Sequence, residues 1–172
     1  MVFDRMSGKL LWSATAQKEF RHNGICAGGG KLFAGDRRTA AVSLRSSKTP
    51  DAGAEDDAIL CAFDLLSGKQ LWRLQEEVFG TWLSYSEQYD VLIEGNRRAR
   101  DTLSDEAKGM RALRGSDGAV LWLDPKSSGP GMIRGKTVLK EKSAADLLTG
   151  KPVMYTEPIT GRSIEWSWMR MY

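Results

Sequence analysis

Reactive side chains are scarce in this chain. Its 172 residues include one histidine, His22, and two cysteines, Cys26 and Cys61. A Ser–His–Asp or Cys–His mechanism would therefore rest on His22 alone, which lies in a polar stretch, and no Gly-x-Ser-x-Gly motif accompanies it. Histidine and cysteine also show no cluster with zinc-ligand spacing. We therefore predict no catalytic residue and no metal-binding residue.

Long apolar runs and a strong net charge are missing as well. No apolar run approaches the ~18 residues of a membrane-spanning helix, and the first residues lack the basic segment and apolar core of a signal peptide. The formal net charge is +3, and lysine and arginine are scattered among acidic residues. A nucleic-acid-binding module would concentrate them on one face. We predict no transmembrane segment, no signal peptide in this chain and no nucleic-acid partner.

Helical periodicity is rare, whereas glycine is frequent. The 18 glycines and the near-absence of long segments with a 3.6-residue apolar period favour an all-β fold. The two cysteines fall in the first and third predicted strands of one unit. Non-adjacent strands hold their Cα atoms ~9–10 Å apart, beyond the ~7 Å limit for a disulfide. We predict free thiols.

One ten-residue pattern recurs along the chain. Residues 3–12 read FDRMSGKLLW, residues 63–72 read FDLLSGKQLW, and residues 113–122 form a looser copy, LRGSDGAVLW. Ser-Gly and Asp-Gly are turn dipeptides, because glycine adopts positive φ and the polar side chain bonds the local backbone. Apolar residues on both sides predict a tight antiparallel hairpin. A tryptophan follows each turn glycine by four residues, which favours packing against a neighbouring repeat.

The spacing of the repeats predicts propeller blades. Two polar insertions, 37–57 and 95–108, lengthen the first two intervals, and removing them leaves a unit of roughly 40 residues, the length of a four-stranded blade. The end of the last repeat has two candidate glycines. Gly150 matches the motif better, whereas Gly161 suits the unit length better, and we take Gly161 as the end of the blade.

This pattern resembles the PQQ-like β-propeller repeat. The resemblance implies an all-β, partial β-propeller of about three to four four-stranded antiparallel blades, one incomplete domain over residues 1–172. It implies that each tryptophan docks onto the adjacent blade and that the other motif residues shape the turn. The matching positions are Asp4, Gly8, Trp12, Asp64, Gly68, Trp72, Gly118 and Trp122.

The resemblance is specific for the fold and leaves two functions open. The leading interpretation is a non-catalytic scaffold or binding module of an extracytoplasmic bacterial protein, with no cofactor. The alternative is part of a PQQ-dependent oxidoreductase, which would hold the quinone and calcium, but the vicinal cysteine pair of the alcohol dehydrogenases is missing. Closed propellers of this family have about seven or eight blades. We therefore expect a fragment that meets the remaining blades of a larger propeller, or else a small protein that self-associates, and a possible protein partner.

Three further features have ordinary structural interpretations. A P-loop needs a longer glycine-bounded loop leading into a helix, so the three glycines before Lys31 predict a hairpin turn. A basic run predicts a solvated loop, with contact to an acidic partner as a hypothesis. A C-terminal aromatic cluster predicts blade core in preference to a carbohydrate platform. These features comprise Gly28, Gly29 and Gly30; Arg97, Arg98 and Arg100; and Trp166, Trp168 and Tyr172.

Overall fold

The structure of the protein is a computed structural model. It describes residues 1–37, 58–76, 78–79, 82–96, 109–127, 129–140, 143–156 and 159–164. Regular structure in these residues is entirely β-strand, so the all-β prediction is confirmed. The strands are β1 (Val2–Phe3), β2 (Leu10–Trp12), β3 (Phe20–Gly28), β4 (Lys31–Asp36), β5 (Ile59–Asp64), β6 (Gln70–Leu74), β7 (Trp82–Ser86), β8 (Val91–Gly95), β9 (Met110–Arg114), β10 (Val120–Asp124), β11 (Met132–Arg134), β12 (Thr137–Leu139), β13 (Ala144–Asp146), β14 (Tyr155–Thr156) and β15 (Ser163–Ile164).

The strands form antiparallel meanders that are arranged as propeller blades. The sheet of β3 to β6 and the sheet of β7 to β10 each contain four strands in sequence order. We call these blades 2 and 3; blade 1 is the β1–β2 hairpin, and blade 4 begins with the three-stranded sheet β11 to β13. The first strands of successive blades lie side by side, β3 against β7 and β7 against β11. The prediction of a partial β-propeller is confirmed.

Blade 4 is shorter than blades 2 and 3, and Gly150 closes it. Its fourth strand is reduced to one antiparallel bridge between Ala145 and Pro152, because proline has no N–H to continue a ladder. Gly161 lies in a separate hairpin between β14 and β15. Our choice of Gly161 as the end of the blade is therefore wrong. The choice relied on unit length, but only residues 140–143 connect the second strand of blade 4 to its third, whereas blades 2 and 3 have long connections at this place.

The apolar core lies between the blades. Since side chains alternate along a strand, each sheet presents one apolar face to the blade before it and one to the blade after it. One buried cluster joins blades 2 and 3 through Phe33, Leu60, Trp72, Leu92 and Leu113, among others. A second cluster joins blades 3 and 4 through Val91, Ile93, Trp122, Val138 and Leu147, among others.

The two predicted insertions coincide with connections between second and third strands. Arg37 is buried at the start of the insertion predicted at 37–57. Gly95 ends β8 and Asn96 is buried, so these two residues belong to blade 3 and not to the insertion predicted at 95–108. Residues 38–57 and 97–108 lie outside the described residues. The described part of the chain has no helix that is long and apolar enough to cross a membrane.

Candidate functional site

In the repeated turns of blades 1, 2 and 4, a carboxylate caps its own loop. In blade 2, Asp64 Oδ1 accepts hydrogen bonds from Leu66 N (3.2 Å), Ser67 N (2.7 Å) and Ser67 Oγ (2.7 Å). The backbone closes the turn, with Gly68 N donating to Asp64 O and Asp64 N donating to Lys69 O. The hydrogen bonds from Ser67 lower the pKa of Asp64. The carboxylate is therefore ionised and committed to the turn.

The same arrangement recurs in blades 1 and 4. Asp4 Oδ1 accepts from Ser7 N (2.7 Å) and Ser7 Oγ (2.6 Å), and Asp146 Oδ1 accepts from Thr149 N (2.8 Å) and Thr149 Oγ1 (2.8 Å). These hydrogen bonds lower the pKa of both aspartates. The motif predicts turn positions for Asp4 and Asp64, and the structure places both there. Asp146 is a capping residue that we did not predict, although the Asp-x-x-Thr-Gly spacing carries that signal.

The turn of blade 3 is capped from a neighbouring hairpin. Arg114 occupies the position of the aspartate and pairs with Asp117 at 2.7 Å. Asp90, in the turn between β7 and β8, accepts from Ser116 N through Oδ2 at 3.0 Å. Asp90 adopts φ 52°, and it is the one non-glycine residue of the described chain with positive φ. Asp90, from a different strand connection, thus takes over the capping role of the missing motif aspartate. The spacing of residues in the sequence does not reveal this role.

The motif tryptophans clasp successive blades together. Each indole N–H donates to a backbone carbonyl three residues before the turn glycine of the next blade. The pairs are Trp12 with Leu65 O (2.9 Å), Trp72 with Gly115 O (2.8 Å) and Trp122 with Leu147 O (2.9 Å). These bonds bring every predicted motif tryptophan onto the adjacent turn.

The turn glycines make room for these indoles. A Cβ at Gly68, Gly118 or Gly150 would lie 2.6, 3.0 or 2.8 Å from the docked ring. All three have positive φ, so both the backbone conformation and the close ring favour glycine. Gly8 and Gly161 share this conformation, but a Cβ there would meet nothing within 4 Å. Gly150, and not Gly161, is thus the equivalent of Gly68 and Gly118.

The three glycines before Lys31 form the predicted hairpin turn and a second contact between blades. A Cβ at Gly28 would lie 3.0 Å from the Tyr85 ring of blade 3. Tyr85 OH donates to Asp90 Oδ1 at 2.6 Å, and Lys31 Nζ donates to the same oxygen at 3.1 Å. Burial opposes ionisation of Asp90, but the hydrogen bonds from Tyr85 and Lys31 outweigh it and lower its pKa. Gly28 and Gly29 therefore accommodate the tyrosine ring.

Buried charges lie at the opposite end of the blades. Arg111 Nε contacts Glu94 Oε2 at 2.6 Å, with both side chains buried. Arg111 also donates to Glu76 O at 3.2 Å, and its guanidinium lies over the Phe79 ring, 5.6 Å from the centroid. Arg111 and Glu94 are direct cross-strand partners. This arginine therefore ties blade 3 to the connection from blade 2.

A second ion pair stands beside a docked indole. Lys140 Nζ donates to Asp124 Oδ2 at 2.6 Å and lies over the Trp122 ring, 5.6 Å from the centroid. Asp124 also accepts a hydrogen bond from Ser127 Oγ. Burial opposes ionisation of Asp124, but the hydrogen bonds from Lys140 and Ser127 outweigh it and lower its pKa to about 2. This contact links the outer strand of blade 3 to the second strand of blade 4.

The cysteines offer no reactive site. Cys26 pairs with Phe33 and Cys61 pairs with Ala34, so the two thiols point to opposite faces of one sheet. Both are free. Burial raises the pKa of Cys26 to about 12 and also raises that of Cys61, and a protonated thiol is a poor nucleophile.

The remaining predicted features concern metal ligands and residues beyond the described ranges. Within the described ranges, no group of three or more histidine, cysteine, aspartate or glutamate residues is placed to hold a metal ion. The side chain of His22, the basic run at Arg97, Arg98 and Arg100, and the aromatic cluster of Trp166, Trp168 and Tyr172 lie outside the described residues.

The outer strands carry an exposed apolar surface, which the sequence analysis did not identify. β6 and β10 are terminal strands of their sheets. Leu11 and Leu71 directly precede docked tryptophans and are exposed, as is Leu123 directly after Trp122. Since side chains alternate along a strand, the indole turns toward the next blade while its neighbours turn away. We call Leu10, Leu11, Leu71, Val120 and Leu123 the outer-strand apolar residues.

Comparison with known proteins agrees with this architecture. A family model described as outer membrane protein assembly factor BamB matches residues 1–157. The chain belongs to this family. Its BamB-type, PQQ-like propeller repeats account for the recurring motif and for the order of the strands. No curated protein matches the sequence.

Two solved structures resemble this member of the BamB family. BamB from Moraxella catarrhalis superposes with a TM-score of 0.57 at 17% identity, covering 85% of this chain and 39% of that structure. A europium-containing methanol dehydrogenase superposes with a TM-score of 0.52 at 14% identity, covering 84% of this chain and 26% of that one. The chain thus spans less than half the length of either protein. At these identities the likeness shows the shared propeller fold alone.

Proposed function

We propose that this chain is a non-catalytic, protein-binding scaffold that takes part in outer membrane protein assembly outside the cytoplasm. The family description, which names that process, supports the setting. The chemistry of the repeats supports a non-catalytic role, since the carboxylates cap turns and the tryptophans clasp blades. Asp64, for example, directs one oxygen at three donors of its own turn.

The exposed outer strands are the observation that carries the proposal. β6 and β10 each end a sheet, and a terminal strand offers unpaired backbone groups to an added strand. Backbone hydrogen bonds would supply affinity in this mode, and alternate side chains would supply specificity. Leu71 on β6 and Val120 and Leu123 on β10 are exposed large apolar residues. An extended segment of a partner protein, paired along these edges, would cover them.

A second candidate is part of a quinone-dependent oxidoreductase, favoured by the fold likeness to methanol dehydrogenase. The scaffold and the enzyme need different groups in the chain. The enzyme would need the quinone, calcium and an ionised carboxylate free to face them. Among the described residues, the lowered pKa values of Asp4, Asp64 and Asp146 come with turn hydrogen bonds that occupy those carboxylates.

Two assays on the purified chain separate the candidates. A fluorescently labelled outer membrane protein, unfolded in urea and diluted, is titrated with the chain, and binding is followed by anisotropy. We expect saturable binding that Leu71→Asp weakens. The same preparation is then mixed with pyrroloquinoline quinone and calcium, and thermal stability and dye-linked alcohol oxidation are measured. We expect neither a thermal shift nor turnover; quinone-dependent turnover would overturn the scaffold proposal.

A further inference from the structure

The repeated turns expose large apolar side chains at one fixed position. The second residue after the capping aspartate is Met6 in blade 1, Leu66 in blade 2 and Leu148 in blade 4. These side chains are 90%, 73% and 41% exposed. In blade 4 the preceding residue, Leu147, is fully buried while Leu148 is exposed. We call Met6, Leu66 and Leu148 the turn-tip residues.

A lysine accompanies each turn-tip residue. Lys9, Lys69 and Lys151 follow the three turn glycines directly, and all are exposed. Blade 3 has neither feature, since Ser116 occupies the tip position and Ala119 the lysine position. The apolar tip and the cation are thus present together or absent together. The turn of Gly161 repeats the combination in sequence with Ile159 and Arg162.

The turns of blades 1, 2 and 4 lie along one edge of the molecule. Each connects the third strand of its blade to the position of the fourth. Docked tryptophans tie the turns of blades 2 and 4 to the preceding blade. The turns between first and second strands lie on the same edge, since Leu65 N donates to Gly30 O and Leu147 N donates to Lys136 O. The turn-tip residues therefore form an arc on a rigid frame.

The exposed charges of this edge are mainly positive. In the described turns 4–9, 28–31, 64–69, 87–90, 114–119, 134–137 and 146–151, seven exposed residues are cationic and two are acidic. The cations are Arg5, Lys9, Lys69, Arg114, Arg134, Lys136 and Lys151, and the acids are Glu87 and Asp117. Asp117 is moreover paired with Arg114. The half-buried members of these turns, Lys31, Asp4, Asp64, Asp90 and Asp146, add one cation and four carboxylates, so the edge as a whole holds eight cations and six acids and its balance is positive.

We propose that this turn edge docks on the surface of an anionic phospholipid bilayer. The turn tips of blades 1, 2 and 4 are single exposed apolar side chains, each with an exposed lysine in the same turn. Single side chains of this kind enter the interfacial region of a bilayer, and neighbouring lysines contact anionic headgroups with their stems along the apolar boundary. The inference is independent of the protein-binding role, which concerns the outer strands.

Vesicle flotation with the full chain tests the inference. Vesicles of phosphatidylcholine containing about 30% phosphatidylglycerol are compared with pure phosphatidylcholine vesicles, since anionic lipid attracts basic residues. The key variant carries Met6→Ser, Leu66→Ser and Leu148→Ser, which copies the serine of blade 3. Lys69→Ala removes one cation, and Leu71→Ser on the outer strand is the matched control. Melting temperature and circular dichroism establish that each variant is folded.

We expect the wild-type chain to float with anionic vesicles and to bind them less at high salt. The triple serine variant should bind at least about tenfold more weakly, the effect of losing buried leucine-sized side chains. Lys69→Ala should weaken binding about fivefold, and Leu71→Ser should leave it unchanged. Failure of the wild-type chain to bind, equal binding to neutral vesicles, or a Lys69→Ala variant that binds as the wild type would overturn the proposal. The comparison of Lys69→Ala with the wild-type chain still tests the proposal if the triple serine variant does not fold.

Discussion

The indole of Trp122 lies against Gly150, so closely that a Cβ on the glycine would come within 2.8 Å of the ring. The indole N–H also donates to Leu147 O at 2.9 Å. This contact joins blades 3 and 4 in the same way that Trp72 and Gly118 join blades 2 and 3. The repeated motif is therefore a contact between successive blades.

Gly150→Ala should destabilise the protein more than Gly161→Ala. The two glycines have φ of 68° and 66°, so alanine meets the same backbone strain of about 1–2 kcal/mol at either position. At Gly150 the new methyl group would also displace the Trp122 ring, adding about 1–3 kcal/mol of overpacking. Urea denaturation of both variants measures the difference. Equal losses of unfolding free energy in the two variants would contradict the assignment of Gly150 as the end of blade 4.

Trp72→Ala should lower the free energy of unfolding by ~3–5 kcal/mol, because it deletes a buried aromatic side chain between two blades. Trp72→Phe should cost less, since it keeps most of the ring and loses the hydrogen bond to Gly115 O. Trp12 makes the equivalent contact but is only half-buried, so Trp12→Ala is the matched control with a smaller loss. Guanidinium denaturation ranks the three variants. A loss at Trp12 equal to that at Trp72 would contradict this ranking.

Glu94→Ala should cost about 3–5 kcal/mol, because it leaves the Arg111 guanidinium buried without its carboxylate. Blade 2 carries Ala34 and Cys61 as the equivalent cross-strand pair. The double variant Glu94→Ala, Arg111→Cys reproduces that pair and should recover much of the loss. A double-mutant cycle based on urea denaturation measures the coupling. Additive losses from the two single substitutions would show that the ion pair contributes nothing specific.

The Asp124–Lys140 pair should make stability depend on pH in the acid range. The pKa of Asp124 lies at about 2 in the folded protein, below its ordinary value of 3.8. A lowered pKa stabilises the folded state fully above the ordinary value, and this contribution is lost as the pH falls through the folded-state value. Asp124→Asn should therefore cost about 1–2 kcal/mol at pH 7. That difference from the wild type should shrink between about pH 4 and pH 2; a difference that stays constant to pH 2 would contradict the assignment.

The motif made the propeller predictable from sequence alone. Gly68 and Trp72 encode a turn and a large ring at a fixed distance, and both features are local. The prediction failed at Gly150 because it relied on unit length. The shortened blade 4 depends on Pro152 and on a brief strand connection, which change the length of the repeat without changing the tryptophan contact.

The candidate surfaces were not predictable in the same way. Leu71 and Leu66 are two leucines of one motif, and composition does not distinguish them from buried ones. Strand pairing shows that β6 is a terminal strand, and the exposure of Leu71 on it identifies an apolar edge. The exposure of Leu66 identifies an apolar turn tip. Asp90 likewise acts on the Ser116 turn across a sheet, a relationship that depends on tertiary structure.

The most direct test of the scaffold proposal compares Leu71→Asp with Leu66→Asp in the anisotropy titration with the unfolded outer membrane protein. Leu66 is the more exposed of the two. If any exposed leucine bound the unfolded protein nonspecifically, Leu66→Asp would therefore weaken binding more than Leu71→Asp. If the outer strands bind protein, Leu71→Asp should raise the dissociation constant about tenfold, whereas Leu66→Asp should leave it unchanged. Equal effects of the two variants, or no binding by the wild-type chain, would contradict the proposal.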